Sequence, residues 1–186
     1  MPDSPEEFVA RASEVHSGSL APEEFEAILQ LGSEFIGLEG EVRIFILGSF
    51  GEVRQERLDD VERTINKHPN GSFAAFQMSD LLKEEDSLNG ILKYRLFGDY
   101  ANYIKAICED DSGGHTMEQG MIAVLPDHLQ KTYLFKREYP PDLEEQRYAW
   151  MQSNGFFEMF DDRLHRWTNP DELIREVDGV LTQIIE

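Results

Sequence analysis

The sequence predicts an α/β fold, a flavodoxin-like parallel sheet of strand order 2-1-3-4-5 with helices on both faces and an N-terminal helical extension. Two observations lead to this prediction. Short apolar runs of strand length alternate along the chain with segments whose apolar residues recur at helical spacing. The connections between them are short, which favours parallel strands joined by right-handed helical crossovers.

The length and composition fit one domain of ordinary size. The chain has 186 residues, 40% of them hydrophobic, and its 12 phenylalanines are enough to build a substantial core. We expect residues 1–40 to form the helical extension and residues 41–186 to form the α/β domain.

The extension is predicted to contain two helices, because a proline followed by two glutamates opens each of them, at Pro5 and at Pro22. Each helix has an apolar stripe, which includes Phe8 in the first and Ile28 in the second. We expect these stripes to pack onto the α/β domain. A regulatory or dimerising arm is the alternative interpretation.

Five short runs, mostly apolar, are predicted as strands: 42–47, 73–77, 103–108, 131–135 and 164–167. Helices are expected between them and after the last one. One of these helices should cover 142–154, with Tyr148 and Met151 on its inner face, and Pro126 should end the helix that precedes the fourth strand.

Residues 108–120 form the most informative stretch and read Cys-Glu-Asp-Asp-Ser-Gly-Gly-His-Thr-Met-Glu-Gln-Gly. A strand ends here, a turn follows, and a helix begins with Ser112 or Thr116 as its cap. Glu118 then falls in the first helical turn, where the positive end of the helix dipole favours an ionised carboxylate.

In the predicted strand order, the loops after strands 1 and 3 lie on either side of the topological switch point, where such sheets bind ligands. Glu118 is the candidate catalytic residue of this crevice. The candidate substrate-binding residues are Gly48, Ser49, Phe50, Asp110, Ser112, Gly113, Gly114, His115 and Thr116.

Residues 111–120 resemble the Asp-x-Gly-Thr-x-x-Glu-x-Gly signature of the nucleoside 2-deoxyribosyltransferases, to which the NAD-cleaving TIR domains are structurally similar. The resemblance implies that Glu118 attacks the anomeric carbon of a nucleoside and that an upstream aspartate orients the substrate. This sequence departs from the signature at His115, which stands between the glycines and Thr116. The whole chain also resembles an uncharacterised group of haloarchaeal proteins.

The expected function is therefore that of a hydrolase or transferase acting on the N-glycosidic bond of a nucleoside, nucleotide or NAD-like small molecule. The alternative is a non-enzymatic nucleotide-sensing or protein-interaction domain of the same fold. Glu118 would then be an ordinary solvated first-turn acid, Asp110 a turn former and His115 an exposed loop residue. Base stacking or core packing is expected of six aromatic residues: Phe50, Tyr148, Trp150, Phe156, Phe157 and Trp167.

No metal or cofactor is predicted, because the single cysteine cannot form a multi-cysteine zinc site and the glycines at 48 and 51 lack the lysine-serine pair of a P-loop. Cys108 is expected to be a small core residue. Self-association into a homo-oligomer is left open.

The composition is strongly acidic, with 37 Asp and Glu against 17 Lys and Arg and a net charge of −20. This balance opposes binding to a nucleic acid polymer and is typical of proteins from a high-salt cytoplasm. No apolar run reaches membrane-spanning length and no signal segment is recognisable, so we expect a cytoplasmic protein without a membrane partner.

Overall fold

The computed structural model describes residues 2–49, 51–69, 71–82, 88–111 and 115–185. Five strands form one all-parallel sheet in the order β2-β1-β3-β4-β5, which confirms the predicted fold class and strand order. The strands are β1 (Val42–Gly48), β2 (Phe73–Gln77), β3 (Tyr103–Cys108), β4 (Thr132–Arg137) and β5 (Leu164–Trp167).

Eight α-helices lie around the sheet in the described part of the chain. They are α1 (Pro5–Val15), α2 (Pro22–Ile36), α3 (Glu52–Asn66), α4 (Gly90–Tyr100), α5 (His115–Val124), α6 (Pro126–Gln130), α7 (Pro141–Arg147) and α8 (Pro170–Ile185). A π-helical turn (Gln152–Phe156) and two 3-10 turns (Phe157–Met159 and Asp161–Arg163) connect α7 to β5.

Helices cover both faces of the sheet, as right-handed crossovers require. On the first face, buried side chains of α1, α2, α4 and α5 form one core with β1, β3 and β4. On the second face, α3 and α8 bury a separate core against the same sheet. Because residues on both faces of the inner strands are buried, these strands are mostly apolar runs rather than alternating ones.

The N-terminal helices are part of the first-face core. The Phe8 ring lies 5.3 Å from the Phe35 ring, and Phe35 in turn lies 5.4 Å from Phe76 of β2. On α1, the Arg11 Nε donates to Asp99 at 2.6 Å, which ties this helix to α4. The extension therefore packs onto the sheet layer, while the division of the chain at residue 40 remains a prediction.

The prediction of one helix over 142–154 was wrong. Helix α7 ends at Arg147, because the Tyr148 side chain turns into the core, where its single hydroxyl proton lies between the carbonyls of Arg137, at 2.6 Å, and Cys108, at 3.1 Å. Met151, predicted to face inward, is consequently exposed. The helix that contains Glu118 ends at Val124, just before Pro126, as predicted. Pro126 then begins the short helix α6, since a first-turn proline loses no hydrogen bond.

Candidate active site

The predicted crevice lies where β1 and β3 run side by side and their following helices depart to opposite faces of the sheet. Gly48 ends β1 at a crowded position. A Cβ atom there would lie 2.6 Å from the Leu58 side chain and 3.3 Å from the Ile107 carbonyl. Glycine thus allows α3 to pack closely against the end of β1, and Ser49 beside it is buried.

Glu118 lies in the first turn of α5 and is only 9% exposed. Its Oε2 atom is 3.1 Å from Nδ1 of His115, one helical turn earlier in the chain. The alternative of an ordinary solvated acid does not fit this burial. The carboxylate is instead held between the helix and the body of the protein.

His115 is buried at the start of α5, and its Nε2 atom has no hydrogen-bond partner among the described residues. An ionised carboxylate only accepts hydrogen bonds, so Nδ1 carries the proton shared with Glu118. The pair places one oriented carboxylate and one buried ring nitrogen without a described partner at the same helix start.

Tyr94 of α4 is influenced by the charge of Glu118 from across the first face. Burial, and then the negative charge of Glu118, raises the pKa of the Tyr94 hydroxyl. The hydroxyl lies 3.3 Å from Nδ1 of His128, whose Nε2 is 2.7 Å from Asp99. Burial raises the pKa of Asp99, but the hydrogen bonds that its carboxylate accepts from His128, Arg11 and Arg95 outweigh burial, so the pKa is lowered. The phenol of Tyr94 on the α4 side of Glu118 is therefore neutral. His128 holds its hydroxyl, and Asp99 in turn holds His128.

The Asp110 side chain is buried and forms an ion pair with Arg54 of α3. This pairing connects the loop after β3 with the helix after β1, so the two sides of the crevice are joined by charge. Sequence reasoning identified Asp110 but not Arg54, which lies 56 positions away in the chain.

Glu109 was missed by the sequence analysis, although it is the most heavily bonded acid at this edge. Arg57 donates to both of its carboxylate oxygens, at 2.8 and 2.5 Å, and Arg137 donates to Oε2 at 3.1 Å. The alternation of side chains along β3 could have indicated its position. Glu109 follows Lys105 and Ile107 at every second residue, so it lies on the second face of the sheet, beneath α3.

Thr116, one of the two predicted helix caps, is not the cap of α5. It lies inside α5, and its hydroxyl donates to the Asp111 carbonyl at 2.8 Å, which ties the helix back to the strand end. The predictions for Phe50, Ser112, Gly113 and Gly114 fall outside the described residues.

The candidate stacking residues differ in their exposure to solvent. Tyr148, Phe156, Phe157 and Trp167 are buried in the two cores, whereas Trp150 is 76% exposed. Burial also raises the pKa of the Cys108 thiol, in keeping with the core role expected of it. Of the described aromatic candidates, Trp150 alone has a ring accessible to a ligand.

Two of the cavities in the described parts of the protein lie outside this crevice. One, of about 470 Å³, is lined by residues that include Lys136, Phe157 and Arg166; the other, of about 400 Å³, lies beside Glu62 and Asp80. The described residues contain no group of three or more His, Cys, Asp or Glu side chains placed to hold a metal ion. None of the described helices is long and apolar enough to cross a membrane.

Fold and site together define a flavodoxin-like α/β protein with a buried carboxylate–histidine pair at the switch point of its sheet. Residues 34–146 match the model of a family of unknown function, DUF8170. The match covers more than half of the chain, and the protein belongs to this family. A comparison with curated proteins finds no match.

Proposed function

We propose that the protein is a hydrolase or transferase acting on the N-glycosidic bond of a nucleoside, nucleotide or NAD-like molecule, with Glu118 as its catalytic carboxylate. The observation that carries this proposal is the Glu118–His115 pair, buried at the start of α5 where the sheet reverses its order. The motif resemblance to nucleoside 2-deoxyribosyltransferases and TIR domains points to the same residue.

A carboxylate suits this reaction, because breaking the bond leaves positive charge on the anomeric carbon. An adjacent anion stabilises that oxocarbenium-like transition state, or captures it as a glycosyl-enzyme intermediate that water or another base later resolves. The hydrogen bond from His115 fixes the direction of the Glu118 carboxylate. Capture followed by release would retain the configuration at the anomeric carbon.

The proposal can be tested by incubating the purified protein with nucleosides, nucleotides and NAD at low and at molar KCl and measuring released base by chromatography. We expect one substrate class to release its base and the others to remain intact. No release from any member at either salt concentration would contradict the enzymatic proposal.

The second candidate function is a non-enzymatic nucleotide-sensing or protein-interaction domain. The exposed apolar side chains of Trp150 and Met151, each 76% exposed on the segment after α7, favour it. Ligand or partner binding without base release would support this alternative.

We also propose a cytoplasmic location in a salt-rich cell, which the excess of acids over bases supports. The melting temperature should then rise as KCl increases from millimolar to molar concentration, since screening weakens the repulsion among like charges. Thermal unfolding followed by circular dichroism measures this. A flat or falling dependence on KCl would remove the salt-rich habitat from the proposal.

A further inference from the structure

Four arginines lie at the carboxyl edge of the sheet, although the chain as a whole is strongly acidic. Arg54 and Arg57 lie in the first two turns of α3, Arg137 ends β4 and Arg147 ends α7. In a protein with a net charge of −20, such a cluster beside a candidate site indicates a local demand for positive charge.

Arg137 lies between two aromatic rings. Its guanidinium carbon is 5.0 Å from the centre of the Tyr139 ring and 5.3 Å from that of Trp167. The rings hold the guanidinium in place while its Nε atom, which is buried, has no hydrogen-bond partner among the described residues. Arg137 is thus fixed in position by the two rings and by its hydrogen bond to Glu109.

Glu109 neutralises only part of this charge. Both of its oxygens already accept hydrogen bonds from Arg57, and Arg137 adds a third bond to Oε2. One carboxylate therefore faces two guanidiniums, and one positive charge is left in excess.

Arg147 adds a second uncompensated charge. Its guanidinium carbon lies 5.4 Å from the centre of the same Tyr139 ring, the side chain is exposed, and it forms no salt bridge within the described residues. The Tyr139 hydroxyl donates to the Glu109 carbonyl at 2.9 Å and so fixes the ring that both arginines contact. Two guanidiniums therefore share one anchored ring.

This ring also adjoins the loop that leads to Glu118. The Arg147 carbonyl accepts a hydrogen bond from the Asp111 amide at 2.9 Å, and Asp111 is bonded in turn by Thr116 of α5. The arginine pair is thus attached to the loop that precedes the candidate catalytic helix.

We propose that Arg137 and Arg147 form a subsite for a phosphate group. The substrate of the reaction proposed above is then a nucleotide or dinucleotide rather than a free nucleoside, and this step rests on that proposed function. Guanidinium forks match phosphate oxygens in pairs, and the Arg147 guanidinium donates to no other side chain or carbonyl among the described residues. The neutralised Glu109 offers little repulsion to the incoming anion.

The test compares the binding of adenosine 5′-monophosphate and adenosine by equilibrium dialysis at fixed KCl, in the Glu118→Gln background so that neither probe is consumed. We expect the phosphorylated probe to bind at least about tenfold more tightly than adenosine. Arg147→Gln should remove most of that difference without changing adenosine binding. Arg63→Gln, an equal loss of charge on the exposed surface of α3, should leave both affinities unchanged.

Equal affinities for the two probes, no binding of the phosphorylated probe, or an unchanged affinity in Arg147→Gln would each overturn the subsite. The melting temperature of Arg147→Gln should equal that of the parent variant, because the side chain is exposed. The two proposals fail separately. If nucleosides and their phosphates release base at the same rate, the subsite is wrong and the enzymatic function stands. If the phosphorylated probe binds in an Arg147-dependent way but the wild-type protein releases no base, the enzymatic function is wrong and the subsite stands.

Discussion

Glu118→Gln should leave the protein folded and reduce base release by at least about a hundredfold, because the variant loses the anion that stabilises the anomeric centre, a contribution on the order of 3 kcal/mol. Glutamine keeps the shape of the side chain, and its carbonyl oxygen still accepts the hydrogen bond from Nδ1 of His115. Substrate binding should therefore survive. Initial rates of base release and the substrate dissociation constant, measured on the same preparation, separate the two effects.

Glu52→Gln is the matched control, since Glu52 is also a first-turn glutamate at this edge of the sheet but is exposed on α3. It should release base at the wild-type rate. Both variants should unfold within about 1 kcal/mol of wild type, the usual contribution of an acid at a helix start. Wild-type turnover in a folded Glu118→Gln protein would rule out the role assigned to this residue.

Lys105→Met should stabilise the protein by several kcal/mol near neutral pH. Lys105 lies in the middle of β3, is 0% exposed, and its Nζ atom has no hydrogen-bond partner in the described structure. Nζ is 5.3 Å from the centre of the Tyr133 ring and 5.2 Å from that of Phe135. Burial lowers the pKa of the amine from 10.5 to about 7. Methionine fills similar space without an ammonium to desolvate.

The direction of the pH dependence follows from the lowered pKa of Lys105. Between about pH 7 and 10 the unfolded chain binds this proton and the folded chain does not, so wild-type stability should increase with pH in that range. At about 1.4 kcal/mol per pH unit, the change from pH 7 to 9 is on the order of 2 to 3 kcal/mol. Below the folded pKa the destabilisation is complete and no longer changes with pH.

Urea unfolding of wild type, Lys105→Met and Lys67→Met at several values from about pH 6 to 9 measures this effect. Lys67 is an exposed lysine at the end of α3, so its replacement should leave both the stability and its dependence on pH unchanged. The account of Lys105 is wrong if Lys105→Met keeps the wild-type pH dependence.

The sequence predicted the sheet because buried parallel strands and amphipathic helices have different periods, and both patterns are local. It failed where a distant contact decided the local structure. Tyr148 ends α7 through hydrogen bonds to Cys108 and Arg137, and no feature of residues 142–154 reveals those partners. The sequence also did not predict the burial of Lys105, since one lysine in an apolar run does not show whether its amine reaches solvent.

The same distinction applies to the candidate site. Glu118 and His115 lie three residues apart on one helix, so their contact can be read from spacing alone. The pairs Arg54–Asp110 and Arg57–Glu109 join positions more than fifty residues apart, and only the adjacency of β1 and β3 brings them together. The sequence thus identified Asp110 but neither Glu109 nor the two arginines that compensate these acids.

Helix α1 packs against α2 and α4, and helix α8 covers the second face of the sheet. The stretch that matches the family, residues 34–146, contains neither helix and also lacks β5. A protein trimmed to it would expose the ring of Phe135, on which His165 stacks, and the ring of Phe35, against which Phe8 packs. Residues 34–146 therefore depend on the flanking sequence to cover their apolar surface, and a fragment of these residues alone should aggregate.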